Sequence, residues 1–146
     1  MQFTAENFDG LSVRQLYEIL KSRMEVFMLE QEIHCLDMDD VDYRSRHCFL
    51  EAEGRVVGYL RAFYQTDDPS VVHIGRVLTL RHGRGLGRTL MEQSLADIRQ
   101  AMPCKMLRLD SQTHAVGFYE KFGFRTVSGE FLEEGIPHVT MELEMG

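Results

Sequence analysis

The sequence predicts an α/β (α+β) fold, a mixed sheet packed with helices, on three observations. Strand-like and helix-like runs alternate through the middle of the chain, while strand-like runs pair toward its ends. The 146 residues suit one domain, and no repeat, low-complexity tract or linker divides 1–146. Hydrophobic residues at 44% and charged residues at 27% give the balance of a folded chain rather than a disordered one.

Each element follows from a local pattern. Ser12 with Gln15 forms a capping box, after which Leu16, Ile19, Leu20, Met24 and Phe27 recur at the helical period. From Met28 to Tyr43 the period dissolves into a polar, acidic loop. His47 to Glu53 and Val56 to Tyr64 read as strands joined by a hairpin turn at Gly54-Arg55. Asp67-Asp68-Pro69-Ser70 is a turn, and Val71 to Thr79 is a third strand in which Gly75 marks a bulge or a close backbone approach. Leu86, Leu90, Met91, Leu95, Ile98 and Met102 form a helical stripe that Pro103 closes. Met106 to Leu109 reads as a buried strand and Ala115 to Phe122 as a short helix ended by Gly123. Strands near Thr126 to Leu132 and His138 to Glu144 complete the chain.

Sixteen basic against 23 acidic residues leave a net charge of −7, which disfavours non-specific nucleic-acid binding. No apolar run approaches the roughly 18 residues of a membrane span, so no membrane partner is expected. The first ten residues have no basic start and no apolar core, unlike a signal peptide. Cys35, Cys48 and Cys104 are odd in number and widely spaced, which fits reduced thiols and a cytoplasmic location. The cysteines lack zinc spacing. D-M-D-D-V-D opens like a calcium loop but has Asp42 where the turn glycine belongs, so no metal is expected. Charge is uneven: Asp37, Asp39, Asp40 and Asp42 crowd one stretch, Arg76, Arg81, Arg84 and Arg88 another. An anion site beside an acidic lip would suit one anionic and one cationic ligand.

The strongest chemical signal is H-G-R-G-L-G-R-T between a strand and a helix. Gly83, Gly85 and Gly87 let bare N–H groups approach a ligand, and the helix that follows turns its positive end on the same place. Such a turn cradles a phosphate or pyrophosphate, to which Arg84 and Arg88 add charge-assisted bonds. A P-loop needs four residues between its first glycine and G-K-[ST]; here Gly83 to Gly87 leaves three, and Arg88 replaces the lysine. A Rossmann fingerprint fails too, because Leu90 or Arg88 occupies the position of its third glycine.

With both nucleotide motifs set aside, the turn resembles the R/Q-x-x-G-x-G/A motif of the GNAT acetyltransferases. Gly85 and Gly87 match its glycines, while His82 departs from its R/Q position, so Arg81 or Arg84 is left to supply that contact. D-S-Q-T-H-A-V-G-F-Y-E-K-F-G-F resembles the family's fifth strand, fourth helix and F-Y-x-x-x-G-F ending. R-M-E-V-F-M-L-E-Q, I-G-R-V, S-Q-T-H and E-E-G-I-P-H-V-T-M look like its ElaA-like branch, from about Leu11 to Leu143. The resemblance implies the GNAT acyl-CoA N-acyltransferase fold, with a central mixed, mostly antiparallel sheet flanked by helices. It implies acetyl-CoA as cosubstrate. Arg84, Gly85, Leu86, Gly87, Arg88 and Thr89 would hold its pyrophosphate, and Val77, Leu78 and Thr79 would lend backbone groups to pantetheine. Gln112 stands where relatives carry an asparagine, and Tyr119 matches the general acid toward the departing thiolate. A homodimer is among the states it allows.

Direct transfer needs an amine lone pair, an exit for the amine's proton, a polarised carbonyl and a protonated leaving sulfur. Glu30, at the end of the first helical region, is the candidate base, with His47, His114 and His138 as alternatives. Arg23, Arg61, Arg76 and His138 are the acceptor-side candidates. The arginines would neutralise a substrate carboxylate or pair with the 37–42 aspartates. The expected acceptor is a small-molecule or peptide amine, a cation drawn in by the acidic loop. Two rivals share these features: a non-catalytic acetyl-CoA-binding module, and an acyltransferase like the acyl-homoserine-lactone synthases.

Overall fold

β1 (Gln2–Asn7) starts a sheet that, among the described residues, collects every strand of the chain. The computed structural model describes residues 1–81 and 84–146. The other strands are β2 (Arg46–Ala52), β3 (Arg55–Gln65), β4 (Asp68–Thr79), β5 (Met106–Gln112), β6 (Arg125–Thr126), β7 (Phe131–Glu133) and β8 (Ile136–Glu144). Their order is β1-β2-β3-β4-β5-β8-β6, with β7 also on β8. All pairs are antiparallel except β4 with β5. Helices α1 (Val13–Arg23), α2 (Leu86–Ala101) and α3 (Val116–Glu120) flank it, giving the mixed α/β class the sequence predicts.

Alternation along the strands builds two cores. Cys48, Leu50, Leu60 and Ala62 pack with Leu90, Met91 and Ile98 of α2. Phe49 and Tyr59, facing the opposite way, pack with Ile19 and Val26. Both halves of the Ser12–Gln15 capping box form, each bond 3.0 Å long.

Five expectations need correction. The turn read over Asp67–Ser70 is Thr66-Asp67, and β4 already begins at Asp68, paired with Gln65, rather than at Val71. β1 is a strand the reading missed: Phe3 and Ala5 alternate with polar residues and pack on the core, but two apolar side chains in six residues are a short, weak signal. The first helix does not end at Phe27: wider turns run over Met24–Glu30, where Gln31 N donates to Val26 O five residues back at 2.9 Å. The β2–β3 turn is Glu53-Gly54, one residue earlier than read, both at positive φ (54° and 75°). The strand expected over Thr126 to Leu132 splits into β6 and β7, and Ser128 between them accepts a bond from Thr140 N at 2.8 Å.

Candidate functional site

β4 and β5 pair only from Val71–His73 to Met106–Arg108, although β4 continues to Thr79 and β5 to Gln112. The bulge read at Gly75 explains the parting. Between Arg61↔Gly75 and Tyr59↔Leu78 the register gains a residue on β4, and Arg76 takes φ 54° there. A cleft of about 730 Å³ opens between the diverging strands. Its floor includes Val77 and Gln112, the 24–39 segment forms its roof, and Tyr119, Glu133, Glu134 and His138 close its sides.

Tyr119 reaches the cleft from α3. Its ring lies edge-on to Phe118 and Phe124, with centroids 5.1 and 6.0 Å away. Burial pushes the phenol up to about 12, so it keeps its proton at neutral pH. His138 enters from β8 beside its cross-strand neighbour Gln112. Its Nδ1 donates to Ile136 O at 2.7 Å, Nε2 lies 3.3 Å from Glu133 Oε2, and the ring stacks on Phe131. His114 Nε2 donates to Gln112 Oε1 at 2.7 Å, and Gln112 Nε2 reaches Gln31 Oε1 at 3.4 Å, tying β5 to the roof.

The acidic loop is not a bare negative lip: of the two readings of the arginines, pairing with its aspartates is the one that forms. Arg23 donates to Asp37 Oδ2 at 2.9 Å and to Asp42 Oδ1 at 2.7 Å. Arg61 grips both oxygens of Asp39 at 2.8 and 2.7 Å and also reaches Asp42 at 3.1 Å. Arg76 bonds Asp37 Oδ1 and its carbonyl, each at 2.8 Å. Three guanidinium groups thus face the three carboxylates of Asp37, Asp39 and Asp42, and only Asp40 stands outside the arrangement. The bond from Arg61 holds the Asp39 carboxyl far below the usual range. Burial pushes Asp42 the other way, but its bond and proximity to Arg23 win and keep it low. Under this network His47 is buried, with Nδ1 2.6 Å from Tyr59 Oη and Nε2 3.0 Å from Asp42 O. A phenol donor and a carbonyl acceptor suit a neutral ring, and burial lowers the His47 pKa accordingly.

Arg23, Arg76, Val77, Gln112, Tyr119 and His138 all line the cleft, but Arg23 and Arg76 do so already paired. Arg61 is buried beneath it. Leu78 packs its side chain into the α1 core, and Thr79 follows at the strand end. Gly85 caps α2 at φ 69°, Leu86 opens that helix with its side chain buried in the core, and Thr89 N donates to Gly85 O at 3.1 Å. Arg84 and Arg88 are exposed, the latter 2.9 Å from Glu92, and Gly87 lies under the Phe118 ring. The readings of His82 and Gly83 fall outside the described residues. Glu30 is exposed and is not part of the cleft wall. Gln31, Glu133, Glu134 and the apolar roof were missed. The E-E-G-I-P-H hairpin was the sequence signal for the two glutamates, since Glu134-Gly135 turns at positive φ (50° and 74°) and both Glu133 and Glu134 line the cleft.

The model of an acetyltransferase (GNAT) domain matches residues 6–145. Protein ElaA of Escherichia coli K12 is 37% identical over 139 residues, spanning 92% of this chain and 91% of that protein. Its crystal structure superposes with a TM-score of 0.90 at 33% identity, covering 97% of each chain. An acyl-CoA N-acyltransferase from Pseudomonas aeruginosa gives 0.90 at 30%, over 97% of this chain and 99% of that one. A CoA-dependent acyl-homoserine-lactone synthase, BjaI, shares the fold at TM-score 0.74 and 16% identity, over 99% of this chain and 83% of its own. Family model, relatives and architecture agree: the chain is an acyltransferase belonging to the GNAT acetyltransferases, in their ElaA-like branch.

Proposed function

We propose that this acyltransferase moves an acetyl group from acetyl-CoA to a primary amine of a small molecule, by direct attack of the amine on the thioester. The observation that carries the reading is the gap between β4 and β5 with Tyr119 on its wall. Past His73 the outer edge of β4 has no strand partner among the described residues, so an extended pantetheine arm can take β5's place. Leu80 N donates to Val57 O at 2.8 Å, so strand alternation turns Leu78 N–H to β3 and aims the groups of Val77 and Thr79 at the gap. The pyrophosphate then falls to Arg84–Thr89, where the α2 N–H groups and two exposed arginines meet an anion. A backbone N–H in the gap polarises the thioester oxygen, and Tyr119 donates its proton toward the leaving sulfur. The amine's proton leaves through His138 or a water chain beside Glu133, since the cleft wall holds these and not Glu30.

No helix of the described residues is long and apolar enough to cross a membrane, and Cys35, Cys48 and Cys104 are all free thiols. The free thiols support a cytoplasmic site of action. The test is thiol release from acetyl-CoA across a panel of primary amines. Turnover with acetyl-CoA alone as donor is expected. Tight binding without turnover on any amine turns the reading into a non-catalytic module. A requirement for an acyl-carrier protein turns it toward the lactone-synthase chemistry.

A further inference from the structure

The roof of the cleft differs chemically from its sides. Met24, Phe27, Met28, Ile33, Leu36 and Met38 line it, carried by the wide helical turns and the loop that follows. Leu36, Met38 and Met24 remain 79%, 49% and 45% exposed. A single exposed leucine needs no explanation, but several large apolar side chains around one concavity mark a ligand surface. Charge does not compete there, because Asp37, Asp39 and Asp42 are held by Arg23, Arg61 and Arg76, and Asp40 is not part of the wall. Polar groups able to meet an ammonium, Glu133 and Glu134 beside His138, stand at the β7–β8 hairpin of the same cleft.

We infer that the acceptor is a small primary amine carried on an apolar tail, alkyl or arylalkyl, rather than a polyamine or another doubly charged amine. The tail lies under the methionine-rich roof and the amine meets the His138 side. A volume of about 730 Å³ suits a small molecule together with the end of the pantetheine arm. Thioether side chains adapt to many shapes, so the selection is for apolarity over outline, and straight and aromatic tails should both serve. The inference rests on the transfer reading above and narrows it.

The test compares hexylamine and 2-phenylethylamine with 1,5-diaminopentane as acceptors of acetyl-CoA. Calorimetry of the same amines, with coenzyme A bound, gives a readout independent of turnover. Kcat/KM for the apolar amines is expected to exceed that of the diamine by about tenfold or more, since one methylene alone is worth ~10–200-fold in a closed pocket. The exposed positions tolerate Leu36→Asp with Met38→Asp, and that pair should shrink the preference to within about threefold while the melting temperature holds. A diamine used as well as hexylamine overturns the inference and leaves acetyl transfer standing. Preferential binding of hexylamine without turnover of any amine supports the ligand class and removes the transfer reading. A flat amine preference with octanoyl-CoA favoured over acetyl-CoA overturns the inference by giving the roof to the donor's acyl chain.

Discussion

Arg23 Nη1 lies 2.7 Å from Asp42 Oδ1, and none of the arginine side chain is exposed. The pair fastens the end of α1 to the loop that roofs the cleft. Burial alone would lower the Arg23 pKa, yet the hydrogen bond to Asp42 and the nearby charges raise it above the usual arginine value. A buried charge deprived of its partner is costly, so Arg23→Met should lower stability by about 3–5 kcal/mol and loosen residues 37–42. Urea unfolding at constant m-value reads the first effect and proteolysis of the loop the second. A loss under 1 kcal/mol would show that the network contributes little.

The same network sets a pH dependence. His47 is held neutral below its ordinary value of ~6.5, so the unfolded chain takes up a proton before the folded one. Its contribution is therefore present above pH ~6.5 and lost as pH falls through the lower folded value. Asp39 and Asp42, also depressed, add a second loss only below about pH 4. His73, lowered by burial too, shares the upper window, so the difference between wild type and His47→Gln is the measure. Unfolding free energies taken from pH 7 to 5 should fall less steeply in the variant. Identical slopes would assign the effect to another group.

Gly85 offers a clean test of the coenzyme site. Its φ of 69° suits glycine, yet among the described residues a Cβ there would meet no atom within 4 Å beyond its chain neighbours. Gly85→Leu therefore costs about 1–2 kcal/mol of backbone strain without a clash. Coenzyme A at 100 times its Kd stabilises a folded protein by about 2.7 kcal/mol, and a leucine at Gly85 should abolish that gain by keeping the pyrophosphate off the α2 amides. Melting curves with and without coenzyme A decide it. An undiminished shift removes the pyrophosphate from this turn.

What was legible in the sequence was local. The Ser12–Gln15 box, the α2 stripe and the bulge at Gly75 are written in neighbouring residues, and each forms as read. Tyr119 was reachable because a short motif carries it into the cleft. That the arginines could pair with the 37–42 aspartates was legible, but not that Arg61 would choose Asp39, because 22 residues separate them and only the β3 and loop geometry brings them together. The roof stayed hidden for a different reason. Ile33, Leu36 and Met38 follow neither a helical nor a strand period, so an acidic segment with apolar residues scattered through it reads as solvated loop.

Tyr119 makes the most direct prediction about chemistry. Its ring is wedged between Phe118 and Phe124, so Tyr119→Phe keeps the packing and removes only the hydroxyl. Coenzyme binding should be unaltered, while kcat for a good amine should fall by ~10²–10⁴-fold, the range of a positioned general acid. The pH profile separates this from a packing defect. Burial pushes the phenol up to about 12, so its proton is present throughout pH 7–10 and activity should show no alkaline fall from Tyr119 there. Rate should instead rise with pH as the amine, with pKa near ~10, loses its proton. Wild type and variant should give parallel profiles offset by the loss in kcat. Equal turnover in the two proteins would make Tyr119 a wall of the cleft and nothing more.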